Sequence, residues 1–338
     1  MYKLEEIKQG IGGFYITPQY IYYTLKSDKY RLYVFENQTK KNIFVSEEER
    51  VNRFDLYEDN LVYISRNEES IFLVNLKTKI KNHINKILYG LVDNYYKKNE
   101  NFYIDKDEEK IYIYDLTSGN ITKKFDSIII GYPKLNTNSH IVTQKDSYIY
   151  IYIKNDFSLL WEKNLSDITS YKDYDGSLKQ GEIREIYSYN NTLIILTQVF
   201  ILRLHIETGE IIYSLRLPAG LMTLSIEENK AYGCYGYHYM EIDLEKGELI
   251  NFVRIENALL NGKEYNAIMN KASYKDGFVF HGLRLEGGQY AVGAINTKTG
   301  NREWISLLSF NMVEKIEFHD DKMFISDTGG NLFIYQRE

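Results

Sequence analysis

The chain has 338 residues, with 41 Lys and Arg against 47 Asp and Glu, a formal net charge of −6. This balance excludes a general phosphate-binding surface, which needs clustered Lys and Arg, and suits a cationic partner. A single cysteine, Cys234, excludes an intramolecular disulfide and fits a reducing compartment.

The N-terminus alternates Tyr2, Leu4 and Glu6 with Lys3, Glu5 and Ile7, a strand pattern. It lacks the apolar run of a secretory signal, and no stretch approaches the ~20 apolar residues of a membrane span, so a cytoplasmic protein is expected. From there a strand-turn-strand unit recurs. Its turns lie at Glu36–Lys40, Asn75–Lys79, Asp115–Gly119, Ile153–Phe157, His205–Gly209, Asp243–Gly247 and Asn296–Gly300. Successive turns end 39, 40, 38, 52, 38 and 53 residues apart. Gly at the last position tolerates positive φ, and an Asp or Asn four residues earlier can accept bonds from turn amides. A repeat of this length, with strands rich in Tyr, Ile, Val and Phe, is the mark of a β-propeller.

Each repeat has a further apolar strand ahead of its turn: Tyr20–Thr24, Leu61–Ile64, Asn101–Ile104, His140–Thr143, Thr192–Leu196, Ala231–Cys234, Phe278–Phe280 and Lys322–Ile325. That makes eight. After the eighth comes Asn331–Tyr335, and then the chain ends before another turn. The N-terminal strand can supply the missing outer strand, closing the ring and removing an exposed edge. The expectation is an all-β propeller of eight four-stranded antiparallel blades, with seven as the alternative. The repeat fills residues 1–338, which are read as a single domain and a monomer.

The turn Asn296-Thr-Lys-Thr-Gly300 is followed by Trp304, and Trp161 holds the same place after the fourth turn. This pattern resembles the quinoprotein-like propeller repeat (PQQ-like, WD40-like), whose blades carry Asp-x-x-Thr-Gly and then a Trp four residues on. At the Trp place in other repeats stand Lys123, Tyr213 and Asn251, so the family's inter-blade Trp docking is expected to be largely lost. In that superfamily the enzymes bind pyrroloquinoline quinone and calcium, often beside a vicinal disulfide, and other members are non-catalytic scaffolds. With one cysteine, the resemblance implies a non-catalytic member without cofactor and with a tendency to bind proteins.

Catalytic and metal motifs are wanting. The histidines, His83, His140, His205, His238, His281 and His319, form no short-spaced ligand pair. Asp173-Tyr-Asp175-Gly176 has the opening of a calcium loop but not its closing Glu, and reads as a polar turn. Gly10-Ile-Gly12-Gly13 lacks a phosphate-loop lysine. Cys234, among strand tyrosines, reads as a buried inert thiol. No catalytic residue and no metal site is assigned.

The two long spacings mark insertions, Leu165–Gly181 and Glu256–Asn266, the latter with a longer hairpin near Leu285–Gly288. Both follow an outer strand and precede the next inner strand, so they emerge on one face, where insertions in repeat arrays often bind. The expected contact residues are Tyr171, Tyr174 and Tyr265 as aromatic anchors, with Asp173 and Asp175 facing a basic partner. The function expected is a non-enzymatic protein-binding propeller, either an immunity-type protein neutralising a toxin-like bacterial partner or a scaffold. Against it stands a quinone- or sugar-handling enzyme, or a small-molecule sensor, with its site at the propeller axis.

Overall fold

A computed structural model describes all residues except 1, 18, 58, 66–69, 85–99, 106–109, 116–119, 126–128, 174 and 256. It is an all-β propeller of antiparallel sheets. Sheet 1 consists of Ile11–Ile16, Tyr20–Leu25, Arg31–Glu36 and Lys41–Val45, and sheet 2 of Val51–Tyr57, Asn60–Ser65, Ser70–Asn75 and Lys81–Ile84. Sheet 3 shows Glu100–Asp105, Lys110–Asp115 and Ile121–Phe125. Sheet 4 is Tyr132–Asn136, His140–Lys145, Tyr148–Ile153 and Leu159–Asn164, and sheet 5 is Ile183–Tyr189, Thr192–Thr197, Phe200–His205 and Ile211–Arg216. Sheet 6 is Ser225–Glu227, Lys230–Tyr235, His238–Asp243 and Glu248–Arg254. Sheet 7 has five strands, Asn257–Leu260, Lys263–Lys275, Phe278–Leu285, Tyr290–Asn296 and Arg302–Leu307. Sheet 8 joins Val313–His319, Lys322–Asp327 and Leu332–Arg337 to the N-terminal strand Tyr2–Lys8.

Two expectations about strands meet different outcomes. The N-terminal strand does complete the last sheet: Tyr2 pairs with Arg337 and Lys8 with Leu332. The number of full blades is seven, not eight. Sheets of four or more hydrogen-bonded strands number seven among the described residues, because the third repeat shows three strands. A repeat count follows the apolar strand that is easiest to read, whereas a full blade requires four paired strands. Residues 85–99, which precede sheet 3, lie outside the described residues, as does most of the turn at 115–119.

The turns form as their residues dictate. At each described turn the last residue donates its N–H to the carbonyl four residues earlier, as in Lys79 to Asn75, Phe157 to Ile153 and Gly247 to Asp243. Each also has positive φ, with 58° at Lys40, 62° at Lys79 and 59° at Phe157 beside 67° at Gly209, 68° at Gly247 and 70° at Gly300. The degenerate repeats therefore keep the geometry without glycine, at a cost of roughly 1 kcal/mol each. The Asx side chains act as expected: Asp243 Oδ1 accepts from the amides of Glu245 and Lys246, and Asn75 Oδ1 from those of Lys77 and Thr78.

The chain divides into two compact units, Met1–Gln9 with Gln144–Ile149 and Trp161–Glu338, and Gly10–Thr143 with Tyr150–Leu160. In the second, Tyr22, Leu32, Val34, Leu61, Tyr63 and Val74 form an apolar cluster shared by sheets 1 and 2. Beside it Glu48 is buried, accepts the Tyr63 hydroxyl at 2.5 Å and pairs with Lys81. In the first unit, Ile194, Leu196, Ile201, Leu221, Met240 and Ile242 join sheets 5 and 6. Cys234, Tyr239, Met269, Val279, Leu283 and Ile295 join sheets 6 and 7. Among the described residues no helix is long and apolar enough to cross a membrane.

A flat ring docks between neighbouring sheets at two places, one a tryptophan and one a tyrosine. Trp161 donates its indole N–H to Ile206 O at 2.8 Å, and its ring covers Gly209. Tyr213 does the same one sheet on, its hydroxyl bonding Leu244 O at 3.0 Å and its ring covering Gly247. A phenol can replace the indole because the task requires only a flat ring with one donor near its tip. At Gly300 the nearest group is a methyl of Val253.

Candidate partner-binding face

In an antiparallel sheet whose four strands pair in chain order, the first strand begins, the middle two are joined and the last strand ends at the same end of the sheet. In the first unit this end collects the hairpin 165–182, the loop 217–224, the arm 255–270 and the loop 308–312, with the shorter connections 236–237, 286–289 and 328–331. Buried side chains and hydrogen bonds fix each of the four connections, and each presents at least one exposed apolar side chain.

The loop 308–312 is the most sharply defined. Ser309 Oγ donates to Asp327 Oδ2 at 2.7 Å and accepts from the Asn311 amide at 2.9 Å. Asp327 is buried and also accepts from the amide and side chain of Asn331, at 2.9 and 2.7 Å. Tyr290 N–H bonds Ser309 O, Thr328 N–H bonds Met312 O, and a Cβ on Gly329 would collide with the Asn311 side chain. Between these ties Phe310 stands 72% exposed, and Met312 is also exposed.

Loop 217–224 is built differently. Leu217, Leu221 and Leu224 are buried, and Leu221 sits where a Cβ on Gly233 would be 2.6 Å from its Cδ1. Arg184 Nη1 donates to Leu221 O at 2.6 Å and lies 2.9 Å from Met222 Sδ. Tyr187 OH accepts the Leu224 amide at 2.8 Å, and burial pushes its phenol up to about 12. The large apolar side chain left outside is Met222. Loops 217–224, 308–312 and 328–331 contain no charged residue.

The insertions hold the residues singled out from sequence, and most are committed to the protein itself. The first contains a one-turn helix, Ser166–Thr169, and a hairpin of Ser170–Lys172 with Leu178–Gln180. Thr169 is buried, its hydroxyl bonding Leu165 O at 2.9 Å and its amide tied to the same carbonyl. Tyr171 is 7% exposed and points inward. Asp173 pairs with Lys179 at 2.6 Å. Asp175 is exposed but accepts the Ser177 hydroxyl and amide at 2.6 and 2.9 Å, which hold its carboxyl below the usual carboxylate range. Tyr174 lies outside the described residues. Leu178, not singled out from sequence, is 74% exposed.

In the second insertion the strands Asn257–Leu260 and Lys263–Lys275 are joined by Asn261 and Gly262, at φ 51° and 76°. Gly236 and Met269 exchange backbone bonds of 3.0 and 2.6 Å, which ties this arm to sheet 6. Tyr265 packs half-buried on the sheet 6–7 cluster with Lys263 Nζ 5.0 Å from its ring centre. Leu259 is 65% exposed, and Ile268 and Tyr235 are also exposed.

Thus the structure brings Tyr171, Asp173, Asp175 and Tyr265 to the expected connections, while the groups free to touch a partner are Leu178, Met222, Leu259, Phe310 and Met312. A signal for these existed: Phe310 and Met312 alternate with Ser309 and Asn311 in a stretch too short for a strand, and Met222 follows Pro218-Ala-Gly220. Among the described residues no group of three His, Cys, Asp or Glu could hold a metal ion. Cys234 is buried, and desolvation pushes its thiol up to about 12, so it is not a nucleophile at neutral pH.

No family model and no curated protein sequence matches the chain. Solved structures do. BamB from Moraxella catarrhalis superposes with a TM-score of 0.67 at 9% identity, over 99% of this chain and 100% of that one. Sqt1 from Saccharomyces cerevisiae gives 0.67 at 9% identity, over 99% and 97%. The computationally designed Ika8 protein gives 0.65 at 12% identity, over 97% and 96%. At these identities the likeness is one of fold, and the fold it shows is the β-propeller.

Proposed function

We propose that this chain is a non-catalytic protein-binding propeller, and that it binds through the loop ends of sheets 5 to 8. The observation that carries the reading is Phe310, a large aromatic ring held in water by a buried carboxylate and a network of backbone bonds. Exposed apolar groups on one end of a fold favour association, because covering them releases water at about 25 cal/mol per Å². A ring fixed before binding loses little conformational entropy on binding, which is how rigid aromatic anchors become hot spots. The propeller neighbours fit a protein-binding role at the level of fold. The immunity reading is the special case of one tight, stoichiometric partner; a scaffold would hold several weaker ones.

Phe310→Ser and Leu178→Ser are expected to leave the melting temperature within about 2 °C of the parent, because both side chains are already in water. Phe310→Ser is expected to weaken the partner by about 2 kcal/mol or more, roughly thirtyfold. Affinity capture from the source lysate, parent beside each variant, checks this. One stoichiometric protein lost with Phe310→Ser supports the reading. No retained protein, or equal retention by the variants, sinks it. Point substitution is the cleaner probe, since replacing residues 166–179 wholesale would also remove the buried Thr169 and Tyr171.

A further inference from the structure

The strand that completes sheet 8 is held more lightly than its counterparts. Tyr2–Lys8 exposes five residues in a row, Lys3 to Ile7, whereas no outer strand of sheets 4 to 7 exposes two neighbouring residues. Its one buried side chain is Tyr2, whose ring meets Phe280 edge-on and Phe318 at a tilt, with centres 5.5 and 6.0 Å away. The Tyr2 hydroxyl is buried there without a hydrogen-bond partner, so docking the ring costs it its water. Glu5 is the extra residue of a bulge, between Leu4 paired with Tyr335 and Glu6 paired with Ile334. Its ion pair with Lys322, at 2.6 Å, is exposed, and such a pair adds little in water. Trp161 and Tyr213 each lock a neighbouring sheet by covering a turn glycine. Leu332–Arg337 and Tyr2–Lys8 are not consecutive in the chain, so no turn lies between them for a ring to cover.

The strand beneath it is well anchored. Leu332 to Tyr335 are buried, and their other edge pairs with Lys322–Asp327. When Tyr2–Lys8 lifts away, Leu332–Arg337 presents a row of free N–H and C=O groups with an aromatic socket at one end, a template for strand addition. Gly10, at φ 73° and with open space where a Cβ would stand, follows the strand and can rotate as its hinge. We propose that the outer edge of Leu332–Arg337 is a strand-acceptor site, filled by the chain's own N-terminal strand as a releasable latch and open in trans to an extended peptide that begins with an aromatic residue. The resident strand shows what the site recognises. It pairs antiparallel from Arg337 to Leu332 and sets one ring against Phe280 and Phe318. Lys3 to Ile7 face water, so the site asks little of the remaining side chains. The proposal does not rest on the partner-binding reading above.

The test is capture of a peptide of residues 2–8, labelled with fluorescein at its C-terminal end, read by anisotropy on the full chain and on its Tyr2→Ala variant. The latch competes with the peptide, so the apparent affinity is the intrinsic one scaled by the open fraction. Tyr2→Ala loosens the latch and is expected to bind the peptide at least about tenfold tighter than the parent does. A peptide with Ala in place of its tyrosine is expected to bind the variant at least about tenfold more weakly. Equal capture by parent and variant, indifference to the peptide's tyrosine, or no capture by either overturns the site. Should Tyr2→Ala fail to fold, hydrogen exchange on the parent decides. Amides of Tyr2–Lys8 that bond to Leu332–Arg337 are expected to exchange at least about a hundredfold faster than amides of Lys322–Asp327 bonded to the same strand. Equal protection of the two strands overturns the latch.

Discussion

Gly247→Ala is expected to cost about 3 kcal/mol of folding stability, and Gly300→Ala about 1 kcal/mol. The two glycines close equivalent turns, with φ of 68° and 70°, so an alanine Cβ meets the same left-handed penalty at each. They differ in what lies above them. A Cβ at position 247 would be 2.6 Å from Tyr213 Cγ and 2.8 Å from its Cδ1 and Cδ2. At position 300 the nearest atom would be Val253 Cγ2, at 3.6 Å, an ordinary contact. The Tyr213 ring cannot simply withdraw, because its hydroxyl is bonded to Leu244 O. The difference of about 2 kcal/mol therefore measures aromatic docking between sheets 5 and 6. Urea unfolding of both variants beside the parent checks it. Tyr213→Val in the Gly247→Ala background should recover part of the loss, since the smaller side chain leaves room for the methyl group. Equal costs at the two glycines would show that the ring yields freely, and the docking argument would fail.

Acid is expected to destabilise the protein well before its carboxylates titrate, through His281. This imidazole is fully buried against Leu283, and Gly293 makes room for it, since a Cβ there would lie 2.8 Å from its Cε1. Burial first, and then the Arg302 charge, push its pKa down to about 3. The groups that bear on it are the Arg302 guanidinium, which opposes its protonation, and the Gly282 carbonyl, 3.4 Å from Nδ1, which weakly favours it. The unfolded chain binds this proton near pH 6.5. Below that pH the unfolded state holds more protons than the folded state, so stability falls as pH drops from 6.5 towards 3 and is flat above 6.5. The slope is about 1.4 kcal/mol per pH unit, and the loss by pH 4.5 is about 2.5 kcal/mol. Glu48 and Glu245 both have carboxyls held below the usual range, Glu48 mainly by Lys81 and Tyr63 against the effect of burial, Glu245 by Arg203 first. Their contributions are present above the unfolded carboxylate pKa and are lost at lower pH, whereas His238, whose imidazole is also held below its ordinary value by burial and then by Arg254, adds to the decline between 6.5 and 4.5, so the difference between the parent and His281→Leu isolates His281. Denaturant unfolding at pH 7.0, 5.5 and 4.5, at fixed ionic strength, should show the decline in the parent and a clearly shallower one in His281→Leu, where His238 remains. An unchanged slope in the variant would exclude His281 as the group responsible.

The two effects differ in how far the sequence foretold them. The closing position of every described turn was legible because a left-handed residue four places after an Asx or its substitute is a local requirement. Lys79 and Phe157 obey it as Gly247 does. The docking of Tyr213 onto Gly247 was not legible in the same way. Aligning the repeats puts Tyr213 at the Trp place, but only the packing shows that a tyrosine there fills the same space with the same kind of donor. The burial of His281 leaves no local trace either, since its neighbours Phe280 and Gly282 would suit an exposed edge as well.

The candidate face divides along the same line. Spacing located both insertions, because surplus residues in a periodic chain must leave the repeat at the connections. It could not say which side chains of a short hairpin point inward. In Tyr171 to Leu178 the ring turns into the body and the leucine into water, set by the packing of Thr169 and Tyr171 on the sheet beneath rather than by their own hydropathy. By itself the sequence determined the strand period, the turn chemistry and the pairing of the two chain ends, all of which follow from residues adjacent in the chain or from one count along it. The tertiary structure alone decided that Phe310 is held out and Tyr171 held in, and that His281 lies buried. Burial and pairing are properties of surfaces brought together from distant positions, and no local pattern of residues fixes them.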